Sequence, residues 1–326
     1  MSAVSWNFGS VAVVGSGAIG LYYGARLAAA GEDVRFLLRS DYDTVRRDGI
    51  RVESVAGDLH LKDVKAFHSP AEIGPVDLVL IAWKTTSNDL LGGVLPPLLH
   101  ENTQVLTLQN GLGNCERLTE IVRPDQVLGA LCFVCLNRLS PGFVNHIAGG
   151  RITVGEFAND GRGRAAEIAR RFSVAGIPTD AASSLAEAQW KKLVWNIPFN
   201  GLAIAEGGVT TEDLLANPGI ERKIRALMGE VVSAARAQGL VLEDSLINLN
   251  IERTRPMGPY RPSSMIDYVE GREVEFDSIW GEPLRRAKKA GVEVPNLEQL
   301  AERIRERIGA VDLREIAPGE GGVMCR

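Results

Sequence analysis

Cysteine is scarce. The 326 residues hold four, Cys115, Cys132, Cys135 and Cys325, too few to staple a chain of this length, so a disulfide scaffold is excluded and a reducing compartment is implied. Long apolar runs are missing too. None approaches the roughly 20 residues that cross a bilayer, and Met1 to Ser10 has neither the basic segment nor the apolar core of a secretory signal. A cytoplasmic protein with no membrane partner is expected. Positive charge is not in excess: 36 Lys and Arg stand against 41 Asp and Glu, a net charge of −5. No basic stripe is available to neutralise a phosphate backbone, so nucleic acid is not an expected partner. The single C-x-x-C, Cys132 and Cys135, has no second Cys or His pair nearby and lies inside the apolar run Val127 to Leu136. It reads as core strand, and no metal is expected.

What is present is ordinary globular usage, 45% hydrophobic and 24% charged with 35 Gly and 15 Pro, in a length that suggests two domains with a cleft between them. The first half alternates short β-branched runs with helical stretches, the pattern of strand–helix–strand units and a mainly parallel sheet. Strands fit Val11 to Val14, Val34 to Leu38, Leu78 to Ala82, Gln104 to Thr107 and Val127 to Phe133. A hairpin is expected to pair Phe143 to His146 with Arg151 to Val154 across Ala148-Gly149-Gly150. A helix fits Ala18 to Ala30, closed by Gly31. From Ser183 onward apolar residues recur at three and four, and helices fit Ser184 to Ile204, Asn217 to Ala237, Ser264 to Tyr268, Val274 to Ala290 and Asn296 to Ile308. The expected division is a first domain over 1–183 and a mostly helical second domain over 184–326, with the glycine-rich tail 318–326 flexible.

Gly15-Ser16-Gly17-Ala18-Ile19-Gly20 is G-x-G-x-x-G placed directly after a strand and opening a helix, the context in which this motif binds a dinucleotide. Gly15 permits the tight turn, Gly17 the approach of a pyrophosphate and Gly20 close helix–strand packing, while the helix start offers N–H groups and a positive dipole end. The fold class is therefore α/β, a Rossmann-type doubly wound sheet followed by helices. NAD enzymes place Asp or Glu at the end of the second strand for the ribose 2′-hydroxyl. Here that end reads Leu37-Leu38-Arg39-Ser40, and Arg39 suits a 2′-phosphate, which favours NADPH/NADP+ as cofactor. Lys84 and Asn110 follow later strands at the same carboxyl edge, where ligands of such sheets bind; Asn110-Gly111 is also an ordinary turn dipeptide.

In the second half, Lys192, Asn196 and Asn200 recur at i, i+4 and i+8 and share one helix face. Their neighbours Leu193, Val194, Trp195, Ile197 and Phe199 are apolar, so the polar groups border a buried seam and need partners, for which a ligand qualifies as well as a loop. Pro198 is expected to bend this helix. Ser264, with Asp267 three residues on, reads as a helix N-cap, a place that also suits a carboxylate.

Taken in order, Gly15 to Gly20, Arg39, Lys84, the Q-N-G at Gln109, W-x-K-L-x-x-N-x-x-x-N from Trp190, and Ser263-Ser264-Met265 followed by G-R-x-x-E ending at Glu275 resemble the ketopantoate reductase (2-dehydropantoate 2-reductase) family, from about Val11 to Ile308. The resemblance implies reduction of 2-dehydropantoate to pantoate with NADPH, in the pathway to pantothenate and coenzyme A. It makes Lys192 the proton donor and a substrate ligand, Asn196 and Asn200 substrate ligands, Asn110 a contact to nicotinamide and substrate, Ser263 and Ser264 holders of the substrate carboxylate or hydroxyl, Glu275 a ligand of the cofactor ribose that orients Lys192, and Lys84 a neighbour of the cofactor. The family's further Asn is replaced here, where the chain reads Gly208-Val209-Thr210-Thr211-Glu212. The expected partner is a small branched 2-oxo acid, and the expected assembly a monomer or homodimer. The competing readings are a reductase of another 2-oxo acid, a dehydrogenase of 3-hydroxy acids or opines, and a non-catalytic dinucleotide sensor, which would need no proton donor.

Overall fold

The structure is a computed structural model that describes residues 8–158 and 160–311. The chain divides into two compact units, Met1–Leu185 and Ala186–Arg326. The glycine-rich tail 318–326 and Cys325 lie outside the described residues.

The first unit opens with β1 (Ser10–Val14), α1 (Ala18–Ala29), β2 (Asp33–Leu37), α2 (Tyr42–Asp48), β3 (Ile50–Ser54), β4 (Leu59–Leu61), β5 (Lys65–Phe67) and α3 (Pro70–Ile73). It continues with β6 (Leu78–Ile81), α4 (Leu91–Val94), β7 (Gln104–Thr107), α5 (Asn114–Leu118), β8 (Val127–Ser140), β9 (Phe143–Glu156), α6 (Arg164–Val174) and β10 (Thr179–Ala181). The strands form one sheet in the order β4-β3-β9-β8-β7-β6-β1-β2-β5, with β10 also paired to β9. From β5 through β8 every pairing is parallel. The chain winds outward from β1 in one direction through β2 and in the other through β6, so the carboxyl ends of β1 and β6 flank the point where strand order reverses, the ligand crevice of doubly wound sheets. All four residues of β6 and all four of β7 are buried, which is why both read as unbroken apolar or near-apolar runs rather than alternating ones.

The sequence misplaces one hairpin. Phe143 to Val154 is not two strands but part of β9, which pairs antiparallel with β8, the chain reversing at Pro141-Gly142. Gly149 and Gly150 have positive φ, yet they sit where the register against β8 shifts after Phe133. They form a bulge, which asks for the same glycine chemistry as a turn. The C-x-x-C cysteines lie on β8 as expected of a strand, but Cys132 and Cys135 are half-buried rather than core.

The second unit is helical: α7 (Leu185–Ala205), α8 (Thr211–Ala216), α9 (Pro218–Arg236), α10 (Ser245–Thr254), α11 (Ser263–Val269), α12 (Glu282–Lys289) and α13 (Pro295–Val311). α9 packs against α8, α10, α12 and α13 through a buried face of Ile224, Leu227, Met228, Val231, Val232 and Ala235, the three-and-four recurrence of an amphipathic helix. α7 runs through Pro198 as one helix. The helix expected over Val274 to Ala290 starts later: a π-helical turn, Asp277–Gly281, precedes α12, one extra residue per turn that the sequence pattern does not announce. No helix among the described residues is long and apolar enough to cross a membrane.

Candidate active site

At the end of β1 the chain turns at Gly15 with φ +115°, a conformation that L side chains rarely adopt. A Cβ there would lie 2.5 Å from the Trp83 amide nitrogen, and a Cβ on Gly20 would lie 2.0 Å from the Gly15 carbonyl oxygen. These two glycines let β1, α1 and the end of β6 approach more closely than any side chain allows, with Ser16 between them in the turn. Gly17 is the N-cap of α1, with extended backbone, no side-chain cap and no acid in the first turn. The N–H groups of Ala18, Ile19 and Gly20 have no acceptor within the helix. Such an arrangement can cradle an anion such as a pyrophosphate.

Arg39 emerges exposed just beyond β2 and forms no ion pair with another described residue. Asp41, two residues on, is fully buried. Its carboxylate accepts from the Arg138 guanidinium, the Ser40 hydroxyl and the Gly142 amide. The carboxylate of Asp41 is therefore turned inward and neutralised, while Asp43, four positions on from Arg39, is exposed.

Beyond β6 and β7 a side-chain network fixes the carboxyl edge. Gln109 donates to the Trp83 carbonyl at 3.2 Å and to Asn88 Oδ1 at 2.7 Å. Asn88 donates to Asn114 Oδ1 at 3.1 Å, and Asn114 in turn to the Asn110 carbonyl at 2.9 Å. Gly111 and Gly113 have positive φ on either side of Leu112. The loop carrying Asn110 is thus bolted to the loop carrying Trp83 and Lys84, and the Asn110-Gly111 pair is more than a turn. Sequence reasoning missed Asn88 and Asn114. Asn114 could have been suspected from the amide-rich run Gln109 to Asn114; Asn88 carries no signal.

In the second unit Lys192, Asn196 and Asn200 lie on successive turns of α7. Lys191 points elsewhere: its side chain is half exposed and pairs with Glu187 at 3.6 Å. Asn200 is 2% exposed; its amide donates to the Asn196 carbonyl at 3.1 Å and its Oδ1 accepts from the Ser264 backbone N–H at 2.9 Å. This bond spans 64 positions of sequence and sets α11 against α7. It also overturns the expected cap: Pro262 holds the N-cap position and α11 begins at Ser263, because the Ser264 N–H is served by Asn200 rather than by its own helix start. Ser264 is buried, Ser263 exposed, and Asp267 is paired to Arg272 at 3.0 Å instead of closing a capping box. The Asn196 side chain, in a residue 8% exposed, hydrogen-bonds no other described residue. Glu275 stands just before the π-helical turn, its carbonyl accepting from the Ser278 hydroxyl at 3.3 Å.

Behind the row, Trp195 donates to the Thr254 hydroxyl at 2.8 Å and stacks on Phe199, while Trp280 donates to the Ile197 carbonyl at 3.1 Å. A Cβ on Gly201 would lie 2.8 Å from the Trp280 indole nitrogen. Large rings thus lock the register of α7. The two threonines where the family has a further Asn are engaged locally. Thr210 caps α8 through the Asp213 amide, and the Thr211 hydroxyl donates to the Gly258 carbonyl at 2.9 Å.

Residues 11–159 match the family described as ketopantoate reductase PanE/ApbA, and residues 184–307 match its C-terminal domain. The chain belongs to the ketopantoate reductase family. It is 41% identical to a 2-dehydropantoate 2-reductase of Nostoc sp., over 89% of this chain and 92% of the relative, and 30% identical to one of Halobacterium salinarum, over 90% and 97%. The crystal structure of 2-dehydropantoate 2-reductase from Geobacter metallireducens superposes with a TM-score of 0.89 at 42% identity, covering 91% of this chain and 99% of that one. Membership makes the chain an oxidoreductase acting on CH–OH groups with a nicotinamide dinucleotide, and the glycine cradle of the first unit fits such a cofactor.

Proposed function

We propose that the chain reduces 2-dehydropantoate to pantoate with NADPH, Lys192 serving as general acid. The names of the relatives at 41% and 30% identity support the substrate. Exposed Arg39, with no ion pair to another described residue and with Asp41 turned inward, supports NADPH over NADH, since a 2′-phosphate finds an available guanidinium. When bound, the cofactor supplies hydride to the ketone carbon. Gly15 to Gly20 hold its pyrophosphate, Arg39 its 2′-phosphate and Glu275 its ribose, and Lys84 lies along it.

The remaining chemistry belongs to the row on α7. As the ketone oxygen gains charge, Lys192 delivers a proton to it, and Asn110 and Asn196 hold the substrate in line with the transfer. Asn200 fixes Ser264, and the Ser264 hydroxyl, with Ser263, meets the carboxylate or hydroxyl of the substrate. The observation that carries this reading is the Asn196 amide, on the same helix face as Lys192 in a residue 8% exposed and bonded to no other described residue. An amide so placed keeps its donor and acceptor available, and a small polar substrate can take both.

The test is a pair of variants. Lys192→Ala is expected to lower kcat for NADPH oxidation by about 10² to 10⁴ with NADPH affinity largely intact, while Lys191→Ala, about 100° away around the helix, leaves kcat nearly unchanged. A larger loss from Lys191→Ala would show that the wrong face of α7 has been assigned.

A further inference from the structure

We propose that His68 is a second reader of the cofactor's 2′-phosphate, donating an imidazole N–H to a phosphate oxygen beside Arg39. The proposal rests on the NADPH reading above and names a contact that the glycine motif and Arg39 do not reveal. β2 and β5 are parallel neighbours, with Leu37 opposite Phe67, and the Leu38 amide extends the pairing by donating to the Phe67 carbonyl at 2.9 Å. Arg39 and His68 are the next residues on the two chains. His68 falls opposite Leu38 and Arg39 one residue further on, so the two leave the carboxyl edge from neighbouring strands, which lie about 4.8 Å apart, in diagonal positions.

Tyr42 ties them together. Its amide donates to the Arg39 carbonyl at 3.3 Å, and its ring stacks on the His68 imidazole with centroids 3.5 Å apart and planes 29° from parallel. The far side of the tyrosine is held by Arg46, which donates to its hydroxyl at 2.8 Å. The His68 backbone is fixed in turn, its amide donating to the Glu72 carboxylate at 3.1 Å. A ring so oriented is exposed, and its nitrogens hydrogen-bond no other described residue. The edge therefore presents a forked guanidinium and an imidazole, both without anionic partners among the described residues, and Asp41 beside them is neutralised by Arg138. A phosphate monoester, close to a dianion with three acceptor oxygens, uses both donors. The 2′-hydroxyl of NADH gives them no charge to meet.

Wild type, His68→Ala and Arg39→Ala are titrated with NADPH and with NADH, following nicotinamide fluorescence at equilibrium. His68→Ala is expected to weaken NADPH about tenfold, the lower end for a hydrogen bond to a charged group, with NADH affinity held within about twofold. Equal losses for the two cofactors would overturn the proposal, because a ring that merely supports the fold cannot distinguish them. If Arg39→Ala is NADPH-selective and His68→Ala is not, the proposal for His68 falls and the NADPH reading stands. If neither variant is selective, the 2′-phosphate is not read at this edge and both fall.

Discussion

The two units present polar groups in opposite ways. The first offers backbone: the Gly15 turn, the uncapped start of α1 and the strand ends beside it make the cradle, and the side chains around them, Gln109, Asn88 and Asn114, hold loops in place. The second offers side chains: Lys192 and Asn196 project from α7, and Asn200 and Ser264 come together from helices 64 positions apart. A backbone site needs glycine at fixed offsets and is tolerant of what surrounds it. A side-chain site needs the register of whole helices, supplied here by Trp195, Phe199 and Trp280.

The sharpest way to break the comparison is to put a methyl group into the backbone site. Gly20→Ala places a Cβ 2.0 Å from the Gly15 carbonyl, against atoms of two packed elements that cannot yield separately. A loss of stability of about 3 kcal/mol is expected, the upper end for overpacking, together with loss of measurable dinucleotide binding in calorimetry. Full affinity in a folded Gly20→Ala protein would mean that the close approach of α1 to β1 is not what shapes the cradle.

Asn200→Ala probes the side-chain unit at smaller cost. It strands the buried Ser264 N–H, for which about 1–3 kcal/mol is expected in chemical denaturation, and it frees α11, so KM for the oxo acid rises more than the affinity for NADPH falls. Asn200→Asp keeps the acceptor for Ser264 and is expected to recover most of the stability. A KM unchanged in Asn200→Ala would separate Ser264 from the substrate.

The smallest effect concerns a buried imidazole of the first unit. His146 is 1% exposed, with its Nδ1 2.8 Å from the Ser54 hydroxyl and its Nε2 3.1 Å from the Ala148 carbonyl. Burial, helped by the nearby Arg26 charge, holds this imidazole below its ordinary value of 6.5. The unfolded chain then binds a proton at higher pH than the folded one. The contribution to stability is complete above about pH 6.5 and declines as pH falls from there toward the lower folded-state value. Denaturation midpoints at pH 7.5 and 5.5 are expected to differ less in His146→Gln than in wild type; an identical pH dependence would mean that another group sets it.

The same contrast decides what could be read from sequence. The cradle was legible because its residues are contiguous and each glycine has one physical reason to be there. The row at Lys192, Asn196 and Asn200 was legible as spacing, since helical periodicity is local. Its anchoring was not: Ser264 reads as an N-cap because serine before a short helix usually is one, and only the three-dimensional neighbour Asn200 shows that its N–H is already taken. The misplaced hairpin has a related cause, in that Gly149 and Gly150 satisfy a bulge with the residues a turn would use. α2 and β5, which bring Tyr42 and His68 to the edge beside Arg39, are short and partly polar, as are β3 and β4, and nothing in their periodicity separates them from loop.

The central claim, that this chain reduces 2-dehydropantoate, is tested most directly by steady-state kcat/KM with NADPH for 2-dehydropantoate beside 2-oxoisovalerate, pyruvate and oxaloacetate, followed by loss of NADPH absorbance. A site whose buried amides pair with the 4-hydroxyl rejects analogues lacking it by about 10⁴ or more, so 2-dehydropantoate is expected to exceed 2-oxoisovalerate by orders of magnitude. Equal values for the two would contradict the claim and leave a reductase that does not read the hydroxyl.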